Sequence, residues 1–361
     1  MHKLRPIAFV LPQFHPIPEN DEWWGRGFTE WTNVTKAKPL FEGHYQPHLP
    51  ADLGFYDLRL PEARKAQADL AKEYGIHGFC YYHYWFNGKR LLDQPVDGML
   101  DQPDLDMPFM LCWANENWTR RWDGKEEEVL MKQSYSFEDD KAHIRWLCEK
   151  VFSDSRYIKI DGKPIFVIYR PSLLPNIKET VLIWRTIAKD EFGFPDLYLM
   201  CTESFHEIIK PSYIGFDAAI EFSPHAVIKH KINNESKKKR FSIFKKKQNP
   251  IIVDYRDFKQ GVKDCLNRQC VEYKLYRSVT PSWDNTARKK EGGIVGKGSS
   301  PKLYGKWLRA IIEEFKPYSK EENFVFINAM NEWAEGNHLE PCVKYGKAYL
   351  EATQKALQNE S

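Results

Sequence analysis

Residues 324–336 read FVFINAMNEWAEG: four apolar residues, a short link, then two glutamates three apart around a tryptophan, closed by glycine. A brief apolar run that empties into polar residues is what a strand buried on both faces produces, with chemistry gathered at its end. Working outward, the same unit recurs along the chain. Ile7–Leu11 ends in Gln13-Phe14-His15-Pro16, Gly78–Tyr82 in His83-Tyr84-Trp85, and Phe109–Trp113 in Ala114-Asn115-Glu116-Asn117-Trp118. Ile165–Tyr169, Leu197–Cys201, Ala218–Phe222 and Tyr276–Val279 bring the runs to eight, the last of these opening into Pro281-Ser282-Trp283-Asp284-Asn285.

Amphipathic windows separate the runs. Pro61–Tyr74 opens on proline and stops at Gly75, as a helix does. Ser136 can cap a helix reaching about Phe152, with Ile144, Leu147, Cys148 and Val151 on one face. Ile177, Val181, Trp184 and Ala188 stripe another, Ser300-Pro301 starts a helix striped by Leu303, Trp307, Leu308, Ile311 and Ile312, and Tyr255–Cys270 and Val343–Leu357 complete the set. Eight buried strands alternating with helices predict an α/β fold: a single-domain (β/α)8 TIM-type barrel over 1–361, with long loops at the C-terminal strand ends. A doubly wound sheet would carry a glycine-rich phosphate loop after an early strand, and the sequence has none.

Composition narrows the class further. The chain has 361 residues with 53 Lys+Arg, 50 Asp+Glu and 42% hydrophobic residues, ordinary for a folded domain and not for a disordered one. No apolar stretch approaches the roughly 18 residues of a membrane helix, and the apolar core near the N-terminus is too short for a signal peptide. Seven cysteines, an odd number without metal-ligand spacing, read as free thiols; Cys80, Cys112 and Cys201 end apolar runs as small buried hydrophobes. No metal and no cofactor are expected, and a cytoplasmic location is. Lys229–Lys247 carries nine Lys/Arg and one Glu, +8 in a chain of net charge +3. It lacks apolar periodicity and reads as a basic flexible insertion, 229–250, suited to peripheral attachment at an anionic inner-membrane surface. Aromatics do not interleave with its charges as nucleic-acid binding would require.

The positions after the runs are where a barrel puts its site. Nine of the 12 tryptophans fall there, among them Trp85, Trp113, Trp118, Trp283 and Trp333. Flat aromatic faces lining a cleft suit the apolar faces of sugar rings, whose rims bond to Asn, Asp, Glu and His. The expected substrate-binding set is therefore His15, Tyr82, His83, Trp85, Trp113, Asn115, Glu116, Trp118, Trp283, Asp284, Asn285, Asn331 and Trp333, around one open cleft. Cleavage of a glycosidic bond needs two carboxyl groups. Glu332 and Glu335, at i and i+3, converge if the residues after the last run form a helical turn, which Gly336 suits. Arg120, Arg121 and Arg288, near these ends, are candidates to contact an acidic sugar or phosphate, with a surface ion pair the expected fate of each.

The segments IAFVLPQFHPIPENDEWWGRGFTEWTNV, GFCYYHYWFNGKRLL, MLCWANENWTRRWDG and INAMNEWAEGNHLEP resemble the WbsX-type proteins of bacterial polysaccharide gene sets, which carry a glycoside hydrolase family 99-like domain. Family 99 comprises metal-independent (β/α)8 barrels, endo-acting α-mannosidases and mannanases. Its Glu-Trp-x-Glu-Gly signature is similar to Glu332-Trp333-Ala334-Glu335-Gly336. The resemblance implies that Glu332 acts as base on the sugar 2-hydroxyl, giving a 1,2-anhydro intermediate with retention. It implies that Glu335 is the acid/base on the glycosidic oxygen and then on water, and so holds its proton nearer neutral pH. Family 99 usually has His where this chain has Ala334, so its substrate details do not carry over.

The expected function is action on glycosidic bonds of a surface polysaccharide of O-antigen or capsule type, as a retaining endo-glycosidase or transglycosylase. The alternatives are a glycosyltransferase of lipopolysaccharide biosynthesis and a non-catalytic carbohydrate-binding barrel. The only Asp-x-Asp, Asp104-Leu105-Asp106, precedes a strand rather than following one, which is poor placement for a metal–diphosphate ligand. Glu116, after Asn115, is the alternative acid.

Overall fold

A computed structural model describes residues 4–120, 125–204, 208–224, 249–257, 271–289 and 291–358. Of the expected basic insertion, residues 229–248 lie outside the described residues, as does the expected helix beyond Asp257 with Cys265 and Cys270.

Nine parallel segments make one sheet that closes on itself. Its strands are β1 (Arg5–Val10), β2 (Gly78–Phe86), β3 (Phe109–Trp113), β4 (Lys163–Ile168), β5 (Tyr198–Glu203), β6 (Ala218–Glu221), β7 (Leu275–Tyr276 with Ser278–Val279) and β8 (Phe324–Ile327). The two halves of β7 pair in opposite directions around the ring: Ile220 lies beside Tyr276, and Ser278 beside Phe326. Pairing of β8 with β1, from Arg5–Phe324 to Ala8–Ile327, completes the circuit. All eight apolar runs are thus strands of the barrel, and helices pack outside it: α3 (Pro61–Glu73), α5 (Phe137–Trp146), α6 (Ile177–Asp190), α7 (Pro301–Glu314) and α8 (Ala348–Gln358), with α1 (Pro18–Trp24), α2 (Glu30–Lys36) and α4 (Gln94–Leu100) in the loops. Ser136 and Ser300 accept N-cap bonds from Asp139 and Leu303, as their positions before apolar stripes predict. None of the described helices is long and apolar enough to cross a membrane.

Ring contacts reveal which residues face inward. Phe9 of β1 meets Phe222, just past β6, at 5.3 Å, and those strands are not neighbours. Such a contact exists only through the barrel interior. Tyr82 of β2 stacks on Phe9 at 5.7 Å, so Tyr82 also points in, and Tyr169 closes the layer against Phe222 at 5.1 Å. Each buried ring contributes about 1.5–3 kcal/mol by leaving water. This layer is the floor beneath the mouth.

Candidate active site

Inward facing of Tyr82 fixes everything after it, because side chains alternate along a strand. Tyr84 points in as well, while His83 and Trp85 point out, toward α5. The Gly78–Phe86 strand is four residues longer than the apolar run that announced it, so these residues belong to the strand and not to a loop above it. His83 stacks on Trp146 at 5.3 Å and its Nε2 lies 2.9 Å from that of His143. Trp85 stacks on His143 at 4.5 Å and donates to Asp139. Trp113, the last residue of β3, packs outward against His143 and Trp184. The expectation that Trp85 and Trp113 line an open cleft is corrected: both are buried in the seam between barrel and helices.

At the end of β8 the chain turns sharply. Asn331 reaches back to β1, its Nδ2 donating to the Leu11 carbonyl and its Oδ1 accepting from the Leu11 amide. Trp333–Glu335 form one 3-10 turn, which brings residues three apart onto one side. Gly336 ends it at φ 57°, a left-handed conformation, with any added Cβ only 2.9 Å from Asp284 Cβ. Glu332 and Glu335 therefore converge as the spacing implied.

What they converge on is Arg288. Its Nη2 donates to Glu332 Oε2 at 2.7 Å and to Glu30 Oε1 at 2.8 Å, and its Nη1 lies 2.8 Å from Glu335 Oε1. Glu30 Oε1 also accepts from the Ala334 amide at 2.9 Å. Arg288 is only 11% exposed, so the expectation of a surface ion pair is wrong for it. Three carboxylates share one guanidinium, and a buried cluster of that balance favours the protonated form of its acids. Burial pushes both Glu332 and Glu335 above the usual carboxylate range, against the pull of Arg288. Glu332 is the more deeply buried, 7% exposed against 21%. Desolvation thus bears harder on Glu332, whereas the larger rise was expected at Glu335 from its acid role.

Other expected site residues hold the turn from below. Trp333 is buried, stacked on His338 at 3.8 Å, and donates to Glu340 Oε2 at 2.7 Å. Glu340 also accepts from Tyr56 and Gln67; burial pushes its carboxyl up to about 7 despite these three donors. Asp284 accepts from His44, Gln46 and Thr286, bonds that hold it below the ordinary range in spite of its burial. Its amide donates to the Glu335 carbonyl, joining the post-β7 loop to the acid turn. Asn285 Oδ1 accepts from the Ile294 amide, and Trp283 is buried with its carbonyl accepting from Gly296. Asp284 and Asn285 thus hold the loops through their side chains and Trp283 through its carbonyl.

On the opposite wall, Asn115 bonds the backbone of Arg170 through both Nδ2 and Oδ1, and Arg170 Nη1 grips Glu116 Oε1 at 2.7 Å. Glu116 is engaged there and not with the Glu332–Glu335 pair. Trp118 is half-buried, its edge against Tyr84 at 5.2 Å and Trp23 at 5.5 Å. Tyr82 and Tyr84 both feel the Glu332 charge and are pushed up by burial. His15 is fully buried, and the charges acting on it are those of Asp57, Arg59 and Asp93.

Sequence reading left Glu30, Tyr84 and Glu340 without a role and expected a surface ion pair of Arg288. The available signals were positional: Arg288 is four residues past Asp284 in the same post-strand loop, and Tyr84 is two past Tyr82.

In fold, the chain is similar to the GH99 endo-α-mannosidase of Bacteroides thetaiotaomicron, with a TM-score of 0.57, 16% identity, and coverage of 98% of this chain and 96% of that one. It is similar also to a solved glycoside hydrolase-like protein, with a TM-score of 0.62, 13% identity, and coverage of 99% and 94%. In sequence it is 43% identical over 353 residues to two proteins described as uncharacterized protein WxcX, from two strains of Xanthomonas campestris pv. campestris. That alignment takes in 97% of this chain and 49% of each relative, so the chain spans about half the length of the curated relatives it matches. Residues 6–353 match the family described as glycosyltransferase WbsX, and the chain belongs to that family.

Proposed function

We propose that the chain acts on glycosidic bonds of a bacterial surface polysaccharide of O-antigen or capsule type, as a retaining endo-glycosidase or transglycosylase. Glu332 and Glu335 are its two acids. One observation carries this reading: both carboxyls sit on one buried guanidinium at the C-terminal mouth of the barrel. A proton held there belongs to the pair rather than to either member. In the productive form it resides on Glu335, which protonates the departing glycosidic oxygen. Glu332 takes the proton of the sugar 2-hydroxyl, whose oxygen closes on the anomeric carbon at high effective molarity. Glu335, now ionised, then removes a proton from the incoming hydroxyl as its oxygen bonds to the anomeric carbon; the bond from that carbon to the 2-oxygen breaks, and Glu332 returns its proton to the 2-oxygen.

Transfer to a sugar hydroxyl instead of water is the form of this reaction that accords with the family's description as glycosyltransferases. A nucleotide-sugar donor fits less well. Asp106 of the lone Asp-x-Asp pairs with Lys72 and lies before β3, at the end of the barrel away from the acids. Tyr84, which feels the Glu332 charge, packs against half-buried Trp118, and Trp118 is the stacking face for a sugar ring. Attachment to an anionic membrane through 229–247 is part of the same proposal.

The test is to incubate the protein with the host's own surface polysaccharide and size the products with and without added acceptor glycan. Shortened chains mean hydrolysis, redistributed lengths mean transfer, and an unchanged size distribution defeats the reading.

A further inference from the structure

Glu30 opens α2, contributed by the long segment that follows β1, and it is fully buried. A carboxylate removed from water costs several kcal/mol unless its surroundings return that energy. Here one oxygen does the work of two contacts. Oε1 accepts from Arg288 Nη2 at 2.8 Å and from the Ala334 amide at 2.9 Å, while Oε2 is buried with no hydrogen-bond partner among the described residues. The Ala334 amide lies between the two acids in sequence, inside the turn that presents them. The same Nη2 that bonds Glu30 bonds Glu332, and the adjacent Nη1 faces Glu335.

From this geometry we propose that Glu30 is a positioning residue: it pins the Glu332–Glu335 turn through the Ala334 amide and claims a share of the Arg288 guanidinium that would otherwise serve the two acids alone. Without Glu30, two carboxyl groups would have a guanidinium to themselves, and each would ionise at lower pH although burial would still raise both. With it, one guanidinium is divided among three carboxyl groups. The other groups facing the pair do not change this balance. Tyr82 and Tyr84 of β2 and Tyr169 beyond β4 are phenols pushed up by burial and so carry no charge in the working range. Lys289 adds a weaker positive field on Glu335 from the same loop as Arg288. For both acids, burial raises the carboxyl, Arg288 opposes it, and Glu30 adds to the rise. The catalytic meaning of the inference rests on the proposed acid–base roles of Glu332 and Glu335; the charge balance itself does not.

The test therefore reads protonation directly. The 361-residue chain carrying carboxyl-¹³C glutamate is titrated by NMR, with the two resonances assigned by their loss in Glu332→Gln and Glu335→Gln. Glu30→Gln keeps an oxygen for both of its contacts and removes only the charge. It should lower the titration midpoints of the pair by about one pH unit, the size expected for a neighbouring like charge. Arg288→Lys, which cannot fork to three carboxylates, should move them upward. The two variants are read separately, and either one folded suffices. Midpoints that stay put, or that move against these directions, overturn the inference. If the midpoints shift as stated while no polysaccharide is cut or transferred, the inference stands and the proposed function is what fails.

Discussion

Two regions of this barrel use similar residue types for opposite ends. In the seam between β2, β3 and α5, Trp85, Trp113, His83 and His143 lie ring against ring, and burial pushes both imidazoles far below their ordinary range, so both are neutral. At the end of β8, Glu30, Glu332 and Arg288 are nearly as hidden from water, and Glu335 less so, yet all are ionisable and three carboxyl groups share one guanidinium. The seam gains stability by removing polarity. The mouth concentrates it, a pattern typical of sites whose acids must change protonation state. Residue type does not separate the two; the direction in which each side chain leaves its strand does.

The sharpest way to break that contrast is to truncate one residue from each side. Glu332→Gln and Glu335→Gln should each cost about 10²–10⁴-fold in turnover on the polysaccharide while leaving the melting temperature unchanged or raised. Glu335→Gln should recover much of its loss on activated aryl glycosides, whose leaving group needs no proton, and Glu332→Gln should not. Trp85→Ala should do the reverse of both: destabilise by about 3–5 kcal/mol in chemical unfolding, yet keep the specific activity of the folded fraction. An inactive but fully stable Trp85→Ala would return Trp85 to the cleft.

How far the sequence could be read follows from the same distinction. All eight apolar runs became strands because a strand buried on both faces leaves an unbroken apolar signature, and the Ser136 and Ser300 caps mark helix starts through local chemistry. Glu332 and Glu335 were legible because the 3-10 turn is itself local, fixed by Gly336 and the i, i+3 spacing. Trp85 and His83 were misplaced because the β2 strand continues through polar and aromatic residues, where apolar continuity no longer marks its end. Arg288 and Glu30 were illegible as partners for a different reason: 258 residues separate them, and only barrel closure brings them together.

The layer under the acids offers a pH test. Glu340 is raised from its ordinary 4.5 to about 7, so the folded protein binds a proton that the unfolded chain has released. Stability on this account is full below about pH 4.5, falls as the pH rises toward 7, and is flat above it, a swing of roughly 3 kcal/mol. Glu340→Gln should flatten that part of the stability profile measured in urea. An unchanged slope would mean that Glu340 is ionised throughout. Gly336→Ala, with its backbone strain and the 2.9 Å approach to Asp284, should cost about 2 kcal/mol and lower turnover as well, since the same turn carries both acids.

The smallest effect belongs to Trp118, and it decides whether any tryptophan here does what the composition suggested. Unlike Trp85, Trp113 and Trp333, it is only half-buried, and its neighbour Tyr84 faces the acid pair. Removing the indole takes away a stacking face without touching a charge, a cap or a strand pairing that the acids depend on. Trp118→Ala should therefore raise KM about 5- to 10-fold, roughly 1–1.4 kcal/mol, with kcat nearly constant, because a ring stacked equally in ground and transition state contributes uniform binding. Trp118→Phe, which keeps a smaller aromatic face, should fall between. If KM is untouched while kcat drops, Trp118 acts through Tyr84 on the pair, and the sugar must lie along another wall of the mouth.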